Sequence, residues 1–150
     1  EQRLASLGLT LPSAPAPVAN YVPAIVHNGF LYISGQVSKA GNGDVITGKL
    51  GAGVDIARGR EAARICALNI LAQAKAALGS LDRIERVVKL TGFVSSAPSF
   101  TDQPQVVNGA SDLLQQLFGE AGRHARSAVG MAELPFDIPV EIEGEVELIN

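Results

Sequence analysis

The chain is poor in cysteine, in charge and in long apolar runs, and each shortage closes off a class of explanation. A single cysteine, Cys66, rules out an internal disulfide framework and fits a reducing compartment. No apolar run approaches the ~20 residues that span a bilayer, and residues 1–20 lack the basic start and apolar core of a signal peptide, so a cytoplasmic location is expected. Lysine and arginine form no cluster. The 12 bases are scattered among 15 acids for a net charge of −3, which argues against tracking a phosphate backbone. Charged residues make up only 18% of the chain, against 47% hydrophobic. An ordinary domain is nearer ~25% charged, so part of this surface is expected to be covered. Self-association would cover it, although an alanine-rich core would give the same figures.

The 150 residues suffice for one domain with a single core, and no repeat or internal boundary divides them. Residues 1–20 hold Pro12, Pro15 and Pro17 and read as an extended arm on the fold surface. Asn28-Gly29 joins two short apolar segments, 24–27 and 30–34, as a hairpin, because both residues tolerate positive φ. Residues 41–53 carry five glycines around a β-like piece, Val45-Ile46-Thr47. Asp55 can cap a helix that runs to about Leu78 and ends at Gly79. A strand over about 82–94 follows, then a helix from near Pro104 to Phe118, with Val107, Ala110, Leu114, Leu117 and Phe118 as its apolar stripe. Two strands, about 125–132 and 139–148, complete an α+β pattern. Two helices should cover one face of a mixed sheet, leaving the other face uncovered.

The last strand alternates strictly. Val140, Ile142, Val146 and Leu148 face one way, and Glu141, Glu143, Glu145 and Glu147 face the other. Carboxylates on one strand face sit ~7 Å apart and repel, so they belong in water or beside a cation and a ligand. Arg126, on the preceding strand-like segment, is the nearest cation in sequence. Arginine can hold a carboxylate through two parallel hydrogen bonds, each charged bond contributing roughly 1.5–3 kcal/mol. Glu141, crowded by Glu143, should have a raised pKa that suits accepting and returning a proton. The same two residues would equally make a structural ion pair between adjacent strands.

Other candidates are weaker. Gly43 to Lys49 fits the start of a phosphate-binding loop, but Leu50 stands where a hydroxyl should meet magnesium and glycines follow where a helix should begin. Cys66 lies among alanine and leucine and reads as a buried, inert thiol. His27, His124 and Cys66 make no convincing metal site. His124 adjoins Arg126 and either orients a ligand or is a loop residue. Ser34-Gly35-Gln36 marks a strand exit where another chain or ligand can approach closely. Tyr21 follows the proline arm and could close a shallow cleft, and Asn108 lies beside the apolar stripe of the second helix.

Taken together, these segments resemble the reactive intermediate deaminase family, also called Rid or YjgF. The resemblance runs over nearly the whole chain: Ala14-Pro15-Ala16-Pro17, Asn20-Tyr21-Val22, Phe30 to Gln36, Val87 to Val94, Val107-Asn108, Ala125-Arg126-Ser127, Leu134-Pro135, and Val140-Glu141-Ile142-Glu143. It implies a chorismate-mutase-like α+β subunit and a homotrimer whose sheets form a central barrel, with ligand clefts at the subunit interfaces. It also implies hydrolysis of reactive enamine or imine acids, such as 2-aminoacrylate, to 2-keto acids and ammonia, with no cofactor or metal. By position, Arg126 would grip a small carboxylate substrate and Glu141 would activate water. Tyr21, Ser34, Gly35 and Asn108 would shape the pocket. The chain departs from the family where Ala128 replaces a frequent cysteine and Asn20 a frequent proline. The alternative is a non-catalytic trimer that binds small carboxylates, and RNA cleavage ranks below both, given the acidic balance.

Overall fold

The computed structural model describes residues 1–17 and 19–150. Among these described residues, seven strands and three α-helices run in the order α1 (Gln2–Ser6), β1 (Ala24–His27), β2 (Phe30–Val37), β3 (Lys49–Leu50), β4 (Gly53–Val54), α2 (Ile56–Leu78), β5 (Ile84–Ser95), α3 (Gln103–Phe118), β6 (Ala125–Met131) and β7 (Val140–Leu148). Five strands make one sheet in the order β1-β2-β7-β5-β6. It is mixed, because β5 and β6 run parallel while the other neighbours are antiparallel.

The hairpin forms where its turn residues predict, with Asn28 and Gly29 at φ 52° and 80°. On β7 the period-two pattern turns Val140, Ile142, Val146 and Leu148 into the core under α2 and α3. Helix α2 starts where Asp55 accepts a hydrogen bond from the Arg58 amide at 2.8 Å, a cap that contributes about 1 kcal/mol. It ends at Gly79, whose amide reaches the Lys75 carbonyl at 2.8 Å. Its buried face is built from small residues, Ala62, Ala63, Cys66 and Ala67, followed by Ile70, so the helix lies close on the sheet. Helix α3 buries Val107, Ala110 and Leu114 as expected, and Val106 and Leu113 as well. Among the described residues no helix is long and apolar enough to cross a membrane.

Three local expectations need correction. The arm is not extended throughout: its first residues form α1, and only the proline-bearing part lies without regular structure, with Val18 outside the described residues. Buried amides on α2 fix that proline-bearing part and the end of β2. Gln73 donates to the Pro15 carbonyl at 2.6 Å, and Asn69 donates to the carbonyls of Val37 and Lys39 at 2.9 and 3.0 Å. Val45-Ile46-Thr47 is not a strand; Val45 makes one bridge to Lys39, and β3 and β4 lie further along. Residues 81–83 form a single 3₁₀ turn, so β5 begins at Ile84 rather than Asp82. The glycine-rich loop is tied to the β6–β7 connection. The Gly48 amide bonds the Asp137 carbonyl at 2.8 Å, while the Lys49 ammonium bonds the Ala132 carbonyl and lies 3.2 Å from Glu133. A lysine engaged this way does not serve a phosphate cradle.

Candidate functional site

Arg126 takes its direction from the parallel pairing of β6 with β5, which sets Arg126 beside Leu90 and Ala128 beside Gly92. Both partners face the helices, so the arginine does too. Its guanidinium meets α3: Nη1 donates to Ser111 Oγ at 3.0 Å and Nη2 to the Pro104 carbonyl at 3.2 Å. Both acceptors are neutral, and none of the described ion pairs involves Arg126. The charge is therefore fixed in place and not neutralised. It borders an open hollow of about 190 Å³ lined by Asn108, Ser111, Gln115, Arg123, His124 and Arg126. The three α3 residues stand at positions i, i+3 and i+7, which is one helix face. That spacing from Asn108 was the available signal for Ser111 and Gln115, which motif reading alone passes over.

His124 contributes as an uncharged group. Its Nδ1 lies 3.0 Å from the Ala125 carbonyl, which can only accept, so Nδ1 carries the proton. Burial holds the His124 pKa below its usual value, and the Arg126 charge lowers it further against the opposing pull of the Ala125 carbonyl.

Glu141 stands on the other side of the sheet. Odd positions of β7 point away from the helices, and Glu141 is half-buried there. Burial first, and then the nearby Glu143, pushes its carboxyl above the ordinary range. Gly35 lies against it: a methyl group at position 35 would overlap Glu141 Oε2. Ser34 and Gly35 occupy the point where the β2–β7 register slips, between Ile33 and Gln36. From there the Ser34 hydroxyl bonds the Val22 carbonyl at 2.8 Å and the Ser34 amide bonds the Pro23 carbonyl at 2.9 Å. These bonds clamp the segment after Tyr21, which is 47% exposed.

The six predicted residues thus fall into two groups. Ser34, Gly35 and Glu141 meet where β2 and β7 slip register, with Tyr21 just before the segment that Ser34 clamps, and Asn108 and Arg126 share the hollow beside α3. The reading of Arg126 and Glu141 as cross-strand neighbours is overturned. Strand β5 lies between their strands, and the two side chains leave opposite faces of the sheet. No ion pair joins them within one chain. Cys66 is buried with its thiol 3.4 Å from the Val140 carbonyl, and burial raises its pKa well above the usual value. His27 lies on the exposed hairpin, with Nε2 3.3 Å from Asn28 Nδ2.

A family model described as "YjgF/chorismate mutase-like, putative endoribonuclease" matches residues 1–140. The chain belongs to this YjgF family. It is similar to protein TCP17 of Trypanosoma cruzi, 53% identical over 148 residues that cover 98% of this chain and 92% of that protein. It is also similar to a 2-iminobutanoate/2-iminopropanoate deaminase of Dermatophagoides farinae, 30% identical over 139 residues, 92% of this chain and 93% of the other. A crystal structure of a protein of unknown function from Agrobacterium tumefaciens shares 52% identity at a TM-score of 0.91, covering 99% of this chain and 92% of that one. The YjgF resemblance carried by the ordered motifs holds, and so does the α+β architecture with both helices on one sheet face.

Proposed function

We propose that this YjgF-family protein hydrolyses reactive enamine or imine acids, such as 2-aminoacrylate, to 2-keto acids and ammonia. The observation that carries the reading is Arg126, held by Ser111 and the Pro104 carbonyl, bordering an open hollow with no internal carboxylate partner. A guanidinium oriented by neutral acceptors keeps its remaining N–H groups for an incoming carboxylate. The deaminase named among the relatives supports the same chemistry.

In this reading the two groups of residues meet between copies of the chain. Arg126 and Asn108 come from one subunit, and Tyr21, Ser34, Gly35 and Glu141 from its neighbour. A homotrimer with the uncovered sheet faces turned inward fits the exposure of Ile25, Tyr32 and Val129, which share that face. Arg126 fixes the substrate carboxylate and so makes water attack an oriented, nearly intramolecular step. The Glu141 carboxylate accepts a proton as the water oxygen bonds to the imine carbon, and the C=N π electrons move to nitrogen. That proton passes to the nitrogen to give a carbinolamine. Glu141 then takes the carbinolamine hydroxyl proton and passes it to the same nitrogen, the C–N bond breaks with its electrons on nitrogen, and ammonia leaves as the keto group forms. An enamine enters the same path after its terminal carbon gains a proton and its nitrogen loses one, which gives the imine. A carboxyl with a raised pKa suits this exchange near neutrality.

The test generates 2-aminoacrylate in situ with a separate lyase and follows pyruvate release in wild type and in Arg126→Ala. Wild type should release pyruvate faster than buffer, and Arg126→Ala should match buffer while its fold and oligomeric state persist. Equal rates in both proteins would remove Arg126 from the mechanism. Keto-acid binding without acceleration by wild type would leave a carboxylate-binding protein in place of an enzyme. RNA is the poorer substrate, because the 12 bases form no cluster and are outnumbered by 15 acids.

A further inference from the structure

The hollow beside Arg126 has an unusual lining for a site meant to hold a small aliphatic acid. Six side chains line it, and they are two guanidiniums, two amides, one hydroxyl and one imidazole. None is aliphatic or acidic, and no phenylalanine, tyrosine or tryptophan is among them. We propose that this hollow holds a second acidic group, so that the preferred substrates are imines of amino dicarboxylic acids, with Arg126 on the α-carboxylate and Arg123 on the side-chain carboxylate. The inference rests on the deaminase reading for its chemistry, since the bond cleaved is the same C=N bond. Its binding arm stands apart from catalysis.

The two arginines differ in how they are held. Arg126 is anchored through its terminal nitrogens to α3, so its position is set before a ligand arrives. Arg123 has its backbone carbonyl pinned by Arg86 Nη2 at 2.7 Å, while its own guanidinium meets only Glu120 at 3.6 Å. Both members of that pair are largely solvent-exposed, at 64% and 83%. A pair of this kind is weak, so a ligand carboxylate can displace Glu120 from Arg123. The Ser111 oxygen already accepts from Arg126, which leaves its hydroxyl proton for the ligand. Asn108 and Gln115 add amide N–H groups from the same helix face. His124 adds no charge, so the positive potential comes from the two guanidiniums.

Discrimination arises from what each substrate leaves unpaired. A dicarboxylate imine satisfies both guanidiniums. An imine with a branched aliphatic side chain strips water from Arg123 and the amides and gives nothing back, which works against its binding.

The experiment has two arms. In the first, imines are produced in situ from aspartate, glutamate, alanine and leucine by flavin-dependent amino acid oxidases, and keto-acid release is followed with and without the protein. The diacid imines should show at least ~10-fold higher kcat/KM, and Arg123→Gln should lower the diacid-to-monoacid ratio roughly 10- to 100-fold, as expected for one charged hydrogen bond. In the second, calorimetry compares 2-oxoglutarate with 2-oxobutanoate. The diacid should bind at least ~10-fold tighter to wild type, and the difference should vanish in Arg123→Gln. Aliphatic imines hydrolysed as well as diacids, or a ratio unmoved by Arg123→Gln, would overturn the inference and leave the deaminase reading intact. If no imine is hydrolysed, the deaminase reading fails and the binding arm alone decides. Absence of a diacid preference there overturns the inference on its own.

Discussion

If the site is assembled between copies, two inactive variants should rescue each other when mixed. Arg126 pairs with Leu90 on β5, and Glu141 pairs with Phe93 three residues further along the same strand. Two inter-strand spacings and three residue rises put the two Cα atoms about 14 Å apart, with side chains on opposite faces. No rotamer change joins them in one chain. Arg126→Ala and Glu141→Gln alone should each lose turnover, because every site lacks one of its two groups. In a 1:1 mixture, each site draws its arginine from one subunit and its glutamate from a neighbour. Chance pairing leaves both intact in roughly a quarter of all sites, and in a trimer that carries both variants one site of the three is intact, so about a third of wild-type turnover should return in isolated mixed trimers. The assay co-refolds or co-expresses the variants under different tags, isolates oligomers carrying both tags and measures pyruvate release from 2-aminoacrylate. Mixed oligomers that form but stay as inactive as the separate variants would refute the shared site.

Gly35→Ala places a methyl group on Glu141 Oε2, which can swing aside at little cost in stability. Displacing a catalytic carboxylate by ~1 Å costs roughly 100-fold in rate, so kcat should drop by about that factor while the melting temperature stays within a few degrees; an unchanged kcat would show that Glu141 is not the reacting group. The Glu141 carboxyl titrates above its usual 4.5, so the folded chain binds that proton more tightly than the unfolded chain does. The resulting stability is complete below pH 4.5 and disappears as pH rises through the elevated value, the window over which activity should switch on. Glu141→Gln should flatten the pH–stability curve there, and superimposable urea-denaturation curves across that range would count against the assignment. Asn69→Ala leaves the carbonyls of Val37 and Lys39 without their buried donor, which should cost about 2 kcal/mol or roughly 4–8 °C in melting temperature. A melting temperature within a degree of wild type would mean that water replaces the amide.

Much of the fold is legible because its signals are short-range. Asn28-Gly29 sets a turn through its own φ values, and Asp55 caps α2 through a residue three positions away. Arg126 and Glu141 can be singled out in the same way, as a lone cation and a crowded carboxylate. Less legible are α1, hidden beside a proline-rich stretch, and Ser111, recognisable only once Asn108 is placed on a helix.

What the sequence by itself determined is the direction of each side chain relative to its own element. On β7 alternate residues must point to opposite sides, so one row of carboxylates and one apolar row exist wherever that strand is placed. What only the tertiary structure decided is which element lies beside which. Strands β6 and β7 are consecutive in sequence, yet β6 pairs with β5, and β7 fits between β2 and β5. Strand pairing is a long-range choice settled by packing the whole core, and local spacing does not encode it. That choice turns Arg126 toward α3 and Glu141 toward the open face, and so separates within one chain the two residues that the motifs had set side by side.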